Sequence, residues 1–238
     1  VDDDVTVLRA AVFDLFGTLV PEFSRAEFEA ALREAATMLA CEPEAFLAGW
    51  GRTTVERQQG DFADVEENVR AILDMLGRPQ PDRASMTRAL ARRTEMYREG
   101  FYPRPGAVEM LEQLRRKGIP TGLISICTPD IPALWRLSPM ASLVDVALFS
   151  SEVGIRKPDP RVYLMCCERL GVDPTDCLYC GDGSYGELSG ASRVGMTVFQ
   201  IRDPEVDAAG QLRPEGDDWS GAWIADLREL MPLFEPNP

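Results

Sequence analysis

The 238-residue sequence predicts an α/β fold: a Rossmann-like parallel sheet of about five strands with an inserted α-helical module. Three observations predict it. After residue 105, short apolar runs alternate with helical patterns, as right-handed βαβ units require. An apolar run at residues 7–13 has no neighbouring strand and must join the same sheet. Between the two, residues 21–100 lose their β-branched runs, fill with Arg and Glu, and repeat apolar residues at helical spacing.

The elements follow in order. Residues 7–13, apolar except for Arg9, form a strand suited to cover on both faces. It ends in Asp14, and the chain turns through Phe16-Gly17-Thr18. Ser24 and Glu27 fit a capping box, opening a helix with Phe28, Ala31, Leu32, Ala35 and Leu39 on its apolar side. Further helices are expected over 43–58, 61–76 and 82–98, punctuated by Gly60 and by Gly77, Pro79 and Pro81. The insert is thus about four helices. Pro105-Gly106 opens a helix to Lys117, stopped by Gly118. Strands are expected at 119–125, 144–149, 177–180 and 197–201. Helices are expected at 129–137 (interrupted by Pro132), 160–170 and 188–194. A loop over 203–220 and a closing helix over 222–230 complete the chain. Residues 1–20 and 101–238 would form the core domain and 21–100 the insert. The insert leaves and re-enters beside Asp14, so a module hinged there would lie over the carboxyl ends of the strands as a lid.

Composition narrows the function. A net charge of −14 argues against nucleic acid and against an acidic membrane surface as partners. A small anionic substrate stays open, because a local cation outweighs distant net charge. No apolar run approaches the ~20 residues that span a bilayer. Residues 1–4 read as a solvated tail, and no basic, apolar leader precedes the first strand. The expectation is a cytoplasmic protein whose six cysteines, Cys41, Cys127, Cys166, Cys167, Cys177 and Cys180, are reduced. Cys177 and Cys180 form a CxxC, but on a strand they would point to opposite faces, which favours core packing over chelation. The absence of histidine removes Ser-His-Asp and Cys-His catalysis and His-ligated zinc. Oligomeric state is left open.

Four segments carry candidate chemistry. Asp14 ends a buried strand, where open α/β sheets place reactive groups. A carboxylate there loses hydration and needs a metal, a cation or several donors. Ser125 ends the second strand and offers a hydroxyl to an oxygen of a transferring group. Lys157 is one of only two lysines against 23 arginines, which favours a purpose over surface decoration. Its compact ammonium could neutralise both Asp14 and an anionic substrate. Asp182 and Glu187 lie five apart in a glycine-rich turn, and hard cations such as magnesium take carboxylate oxygens. Singly, each also reads as a turn residue or a solvated charge. Arg25, Arg52 and Arg57 are possible anion contacts in the insert, with surface charge the plainer reading of each.

Taken in order, these segments resemble the motifs of the haloacid dehalogenase-like hydrolases. The resemblance covers residues 7–14 and 104–201, and places the insert where that family carries a helical cap. It implies that Asp14 is the nucleophile, followed by Gly17 and by Thr18, which fixes the loop. It implies catalytic roles for Ser125 and Lys157, and a Mg2+ ion held by Asp14, the backbone carbonyl of Phe16 and Asp182. Glu187 would help through water or from outside. Two positions depart from the pattern. Ile126 stands where many relatives carry Asn or another polar residue. Phe16 stands where the family's phosphatases carry a second aspartate that protonates the leaving alcohol, and a phenyl ring cannot. The favoured reading is a magnesium-dependent phosphatase-type hydrolase of a small phosphorylated metabolite, working without that acid. The alternative is a metal-independent 2-haloacid dehalogenase, whose halide leaves unprotonated and whose relatives often carry Tyr at this position. A third is a non-catalytic binder.

Overall fold

The structure, a computed structural model, describes residues 8–202 and 216–235. The first strand, β1 (Ala10–Phe13), is followed by five helices: α1 (Arg25–Met38), α2 (Pro43–Arg52), α3 (Thr54–Gln59), α4 (Val65–Met75) and α5 (Arg83–Gly100). The chain then alternates through α6 (Ala107–Arg116), β2 (Thr121–Ser125), α7 (Ile131–Leu137), β3 (Val146–Phe149), α8 (Ser150–Val153), α9 (Pro160–Leu170), β4 (Cys177–Gly181), α10 (Glu187–Arg193), β5 (Thr197–Ile201) and β6 (Trp223–Ile224). A 3₁₀ helix, Leu227–Phe234, comes last.

The strands form one six-stranded sheet in the order β3-β2-β1-β4-β5-β6, and every pairing is parallel. Two features position the site. β1 is central and wholly buried, so Asp14 emerges in the middle of the sheet's carboxyl edge. The order also reverses beside β1: the chain builds outward to β3, then returns to lay β4 on the other flank. The crevice between β1 and β4 is a switch point of the kind where α/β sheets bind ligands.

Side-chain alternation divides the sheet between two cores. Ala11, Phe13, Leu123 and Leu178 face a cluster containing Leu111, Leu114, Trp135 and Leu230. Ala10, Val12, Ile124 and Tyr179 face the other, with Val162, Tyr163 and Leu188. Cys177 and Cys180 divide between these clusters, and all six cysteines are free and buried. The helices of the insert enclose a third core around Leu32, Phe46, Trp50, Ile72 and Met86. Among the described residues, no helix is long and apolar enough to cross a membrane.

Several expectations need correction. Among the described residues the sheet has six strands rather than about five, because Trp223–Ile224 pairs with Gln200 and Ile201 where a closing helix was expected. A two-residue strand carries too little periodicity to read. The helix that follows is 3₁₀, with Pro232 inside it withholding a backbone donor. The expected 43–58 helix breaks at Thr53, whose hydroxyl bonds back to the Gly49 and Trp50 carbonyls at 3.2 and 3.3 Å, so the insert has five helices rather than about four. Pro132 sits in the first turn of α7, where its missing N–H costs nothing, so it starts the helix rather than interrupting it. Val7, the 1–4 tail and loop residues 203–215 lie outside the described residues.

Candidate active site

Asp14 follows β1 directly, and its backbone N–H bonds to the Cys180 carbonyl of β4 at 2.9 Å, fixing it at the crevice. The chain then turns sharply at Gly17, whose φ of +76° suits glycine. A Cβ there would lie 3.0 Å from the Asp182 carboxyl, so the loop after Asp14 lies directly against that second acid. Asp182 follows β4 and is pinned by Ser184, whose backbone N–H and hydroxyl each donate to it at 2.9 Å. Glu187 opens α10, where the helix N-terminus favours a negative charge. It accepts from Gly183 N–H at 3.0 Å and from the Tyr179 hydroxyl at 2.7 Å.

Lys157 joins these groups. It stands three residues before α9, in the loop capped by Asp159, and its ammonium donates to both Asp14 and Glu187. It also donates to the Tyr179 hydroxyl at 3.2 Å. Asp14, Asp182 and Glu187 each offer an oxygen within 4.8 Å of the others, and all three are buried. Thr18 is buried behind Asp14, its hydroxyl 3.4 Å from Oδ2.

The electrostatics follow from burial. Desolvation, with repulsion from Glu187 and Asp182, pushes Asp14 up to about 8 even though Lys157 opposes the shift. Desolvation and Glu187 push Asp182 up to about 7 against the bonds from Ser184. Burial works against the Lys157 ammonium, but Asp14 and Glu187 outweigh it and hold its pKa above the ordinary lysine value. Ionised together, three carboxylates against one ammonium would leave a buried excess of negative charge, which a divalent cation would offset. The oxygen-only donor set suits magnesium.

Five residues expected at the site, Asp14, Thr18, Lys157, Asp182 and Glu187, therefore converge. Ser125 ends β2 at the same edge of the sheet but bonds to none of them; its hydroxyl is buried and unpartnered. The Phe16 ring turns into an aromatic cluster, with centroids 5.4 Å from Phe23, 6.1 Å from Phe101 and 6.4 Å from Tyr97.

A cavity of about 580 Å³ lies over Asp14 and Lys157. Core residues Ile126, Cys127, Thr128 and Tyr185 line it on one side. Insert residues Phe28, Leu47, Trp50 and Arg57 line it on the other. Arg25 also reaches it, and Arg52 stays exposed outside. Arg57 corrects an expectation: it is buried rather than a surface charge, because it stacks 4.0 Å over Trp50 and bonds to Asn68 of α4. Three residues escaped the reading of the sequence. Tyr179 is one, and the only signal for it was a hydroxyl-bearing ring on an otherwise apolar strand. Glu22 is another; burial, with repulsion from Asp182, raises it well above the usual carboxylate range at the cavity wall. The third is Arg93, which pairs with Asp130 and bonds to Thr128 at 2.9 Å, tying α5 to the loop after β2.

A buried carboxylate at the carboxyl edge of a parallel sheet, with a lysine against it, is the arrangement of an α/β enzyme site, and comparison with known proteins supplies the hydrolase class. The chain belongs to the haloacid dehalogenase-like hydrolases, a family matched over residues 8–195. (S)-2-haloacid dehalogenase 4A of Burkholderia cepacia is 27% identical over 242 residues, covering 98% of this chain and 97% of its own. A phosphatase of Mycobacterium tuberculosis is 32% identical over 213 residues, covering 87% and 90%. Among solved structures, a 2-haloacid dehalogenase from Pseudomonas syringae superposes with a TM-score of 0.65 at 24% identity, covering 95% and 97%. That likeness speaks for the fold alone.

Proposed function

We propose that the protein is a magnesium-dependent hydrolase of phosphorylated small molecules, with Asp14 as nucleophile and the helical insert as a cap over the site. The observation that carries this reading is the convergence of Asp14, Asp182 and Glu187 within 4.8 Å. Without a divalent ion, burial and the neighbouring acids hold Asp14 at about 8, so much of it is protonated at neutral pH and unable to attack. Asp14, Asp182 and the Phe16 carbonyl would hold magnesium, with Glu187 beside it. The ion would lower the charge of the site and polarise the phosphoryl oxygens.

The chain's own groups do the rest. An Asp14 oxygen attacks phosphorus, the bond to the leaving oxygen breaks with its electron pair, and an aspartyl-phosphate forms. Lys157 holds Asp14 in place and draws charge from the transferring group. Ser125 offers its unpartnered hydroxyl to one phosphoryl oxygen. Water then attacks phosphorus and restores Asp14. Phe16 supplies no proton, so substrates with acidic leaving oxygens are favoured, such as aryl, enol or acyl phosphates.

A second reading, 2-haloacid dehalogenation, is favoured by Phe16 and by the full-length likeness to (S)-2-haloacid dehalogenase 4A. There Asp14 displaces halide from carbon. One experiment separates the two: phosphate release from p-nitrophenyl phosphate and halide release from (S)-2-chloropropionate, each with Mg2+ and with EDTA. The proposal expects phosphate release that EDTA and Asp14→Asn both abolish. Halide release indifferent to EDTA overturns it in favour of the second reading. Turnover that survives Asp14→Asn overturns both.

A further inference from the structure

A leaving alkoxide needs a proton, and Phe16 has none to give. Besides Asp14, two carboxyl groups line the cavity, Glu22 and Glu29. Glu29 is held as a carboxylate: Arg25 and Arg33 donate to it at 2.8 and 3.3 Å, and these bonds lower its pKa. Glu22 is the opposite case. Among the described residues it has no ion pair, and its carboxyl accepts one hydrogen bond, to Oε1 from the Phe23 N–H at 3.2 Å. Oε2 is left to carry a proton. Burial, then repulsion from Asp182, raise Glu22 well above the usual carboxylate range. Burial, the larger cause, persists when a cation offsets the neighbouring acids.

The backbone explains how residue 22 reaches the cavity. After Asp14 the chain closes on itself, and the N–H groups of Leu19 and Val20 both bond to the Leu15 carbonyl at 2.9 Å. Val20 is thereby paired with Phe16 in a parallel bridge. Glu22 follows two residues later, and the ring of its neighbour Phe23 lies 5.4 Å from that of Phe16. The chain thus returns beside position 16, and Glu22, half-buried, lines the cavity together with Asp14, Phe16 and Lys157.

We propose that Glu22 is the proton donor to the leaving oxygen, doing from the start of the insert what the side chain at position 16 cannot. The inference rests on the reading of the protein as a phosphate-ester hydrolase. As Asp14 bonds to phosphorus and the bond to the leaving oxygen breaks with its electron pair, Glu22 passes its proton to that oxygen and becomes a carboxylate. When water attacks phosphorus, the carboxylate takes a proton from it, the bond to Asp14 breaks, and Glu22 is protonated again. No other reactant is required. Acidic leaving oxygens gain little from this donor, and alkyl ones depend on it.

The test is the dependence of kcat/KM on the leaving group, measured in Mg2+ with p-nitrophenyl, phenyl and benzyl phosphate. All three carry an aromatic body that suits the apolar wall of Phe28, Leu47 and Trp50, while the leaving oxygen becomes steadily less acidic. kcat/KM reports the steps up to loss of that oxygen and not the later attack by water. Glu22→Gln keeps an acceptor for the Phe23 N–H and removes the proton. It should lower kcat/KM least on p-nitrophenyl phosphate and most on benzyl phosphate, where the loss should reach about 10²-fold or more. Glu22→Asp, an acid of shorter reach, should give a smaller loss graded in the same order. A glutamate with a purely structural role would lower all three alike, so an even loss, or none, overturns the proposal. If Glu22→Gln fails to fold, the grading in Glu22→Asp decides. Wild-type turnover of p-nitrophenyl phosphate without any of benzyl phosphate overturns the proposal and leaves the hydrolase reading standing. Turnover of none of the three overturns both.

Discussion

Replacing Lys157 with methionine keeps the length of the side chain and removes the ammonium that Asp14 and Glu187 share. Three buried acids then face one another with no cation bonded to them. Breaking a buried ion pair from one side costs about 3–5 kcal/mol. For a chain of this length each kcal/mol moves Tm by about 2–4 °C, so Tm should fall by about 6–20 °C. The penalty should depend on pH. At pH 5 Asp14 and Asp182, held at about 8 and about 7, are protonated in the folded chain, and the lost ammonium matters less. At pH 8 more of both acids is ionised in the parent protein, where Lys157 offsets their charge, so losing the ammonium carries a larger penalty. A double-mutant cycle with Glu187→Gln isolates the pair, with an expected coupling of about 1–3 kcal/mol. The assay is thermal or urea unfolding of the four proteins at both pH values. A loss under about 1 kcal/mol that is independent of pH, with no coupling to Glu187, would refute the charge argument for the site.

The metal-free protein should lose stability as pH rises from 5 to 8. Both acids have folded pKa values above the ordinary carboxylate range, so the folded chain binds more protons; their contribution is full below about pH 4 and is lost through pH 7–8. Magnesium at a hundred times its Kd adds about 2.7 kcal/mol, visible in melting scans at pH 8, shrinking at pH 5 and abolished by EDTA. A melting temperature indifferent to both pH and Mg2+ contradicts this. Phe16→Asp should raise turnover of alkyl phosphates at least about tenfold, since a placed general acid contributes about 10²–10⁴-fold, while lowering Tm by breaking the aromatic cluster. Unchanged kcat/KM on alkyl phosphates would mean that the missing acid does not limit the reaction.

Much of the site was legible because its residues follow strands. Asp14, Asp182 and Lys157 occupy loops where hydrophobic runs stop, and a parallel sheet delivers the ends of such runs to one edge. Pro160–Leu170 and Thr197–Ile201 were legible from a glycine stop and a clean apolar run, respectively. The buried arginines were not. Arg57 and Arg93 sit in helices dense with charge, and nothing in helical periodicity separates an arginine that meets water from one that meets Trp50. That difference is made by distant partners, Asn68 for one and Asp130 for the other. Glu22 stayed hidden for the same reason: it is half-buried at a cavity wall built by residues distant in sequence, a packing event without a local signature. β6 was missed because two residues next to the 203–220 loop carry no pattern.

Phe16 has a double allegiance. It lies two residues from the nucleophile, yet its ring is wedged among Phe23 and Phe101, which flank the exit and re-entry of the helical insert, and Tyr97 at the end of α5. Swinging the insert away from the sheet would have to unstack this ring. Were the insert to swing as a gate, a change of chemistry at position 16 would also change how freely it moves.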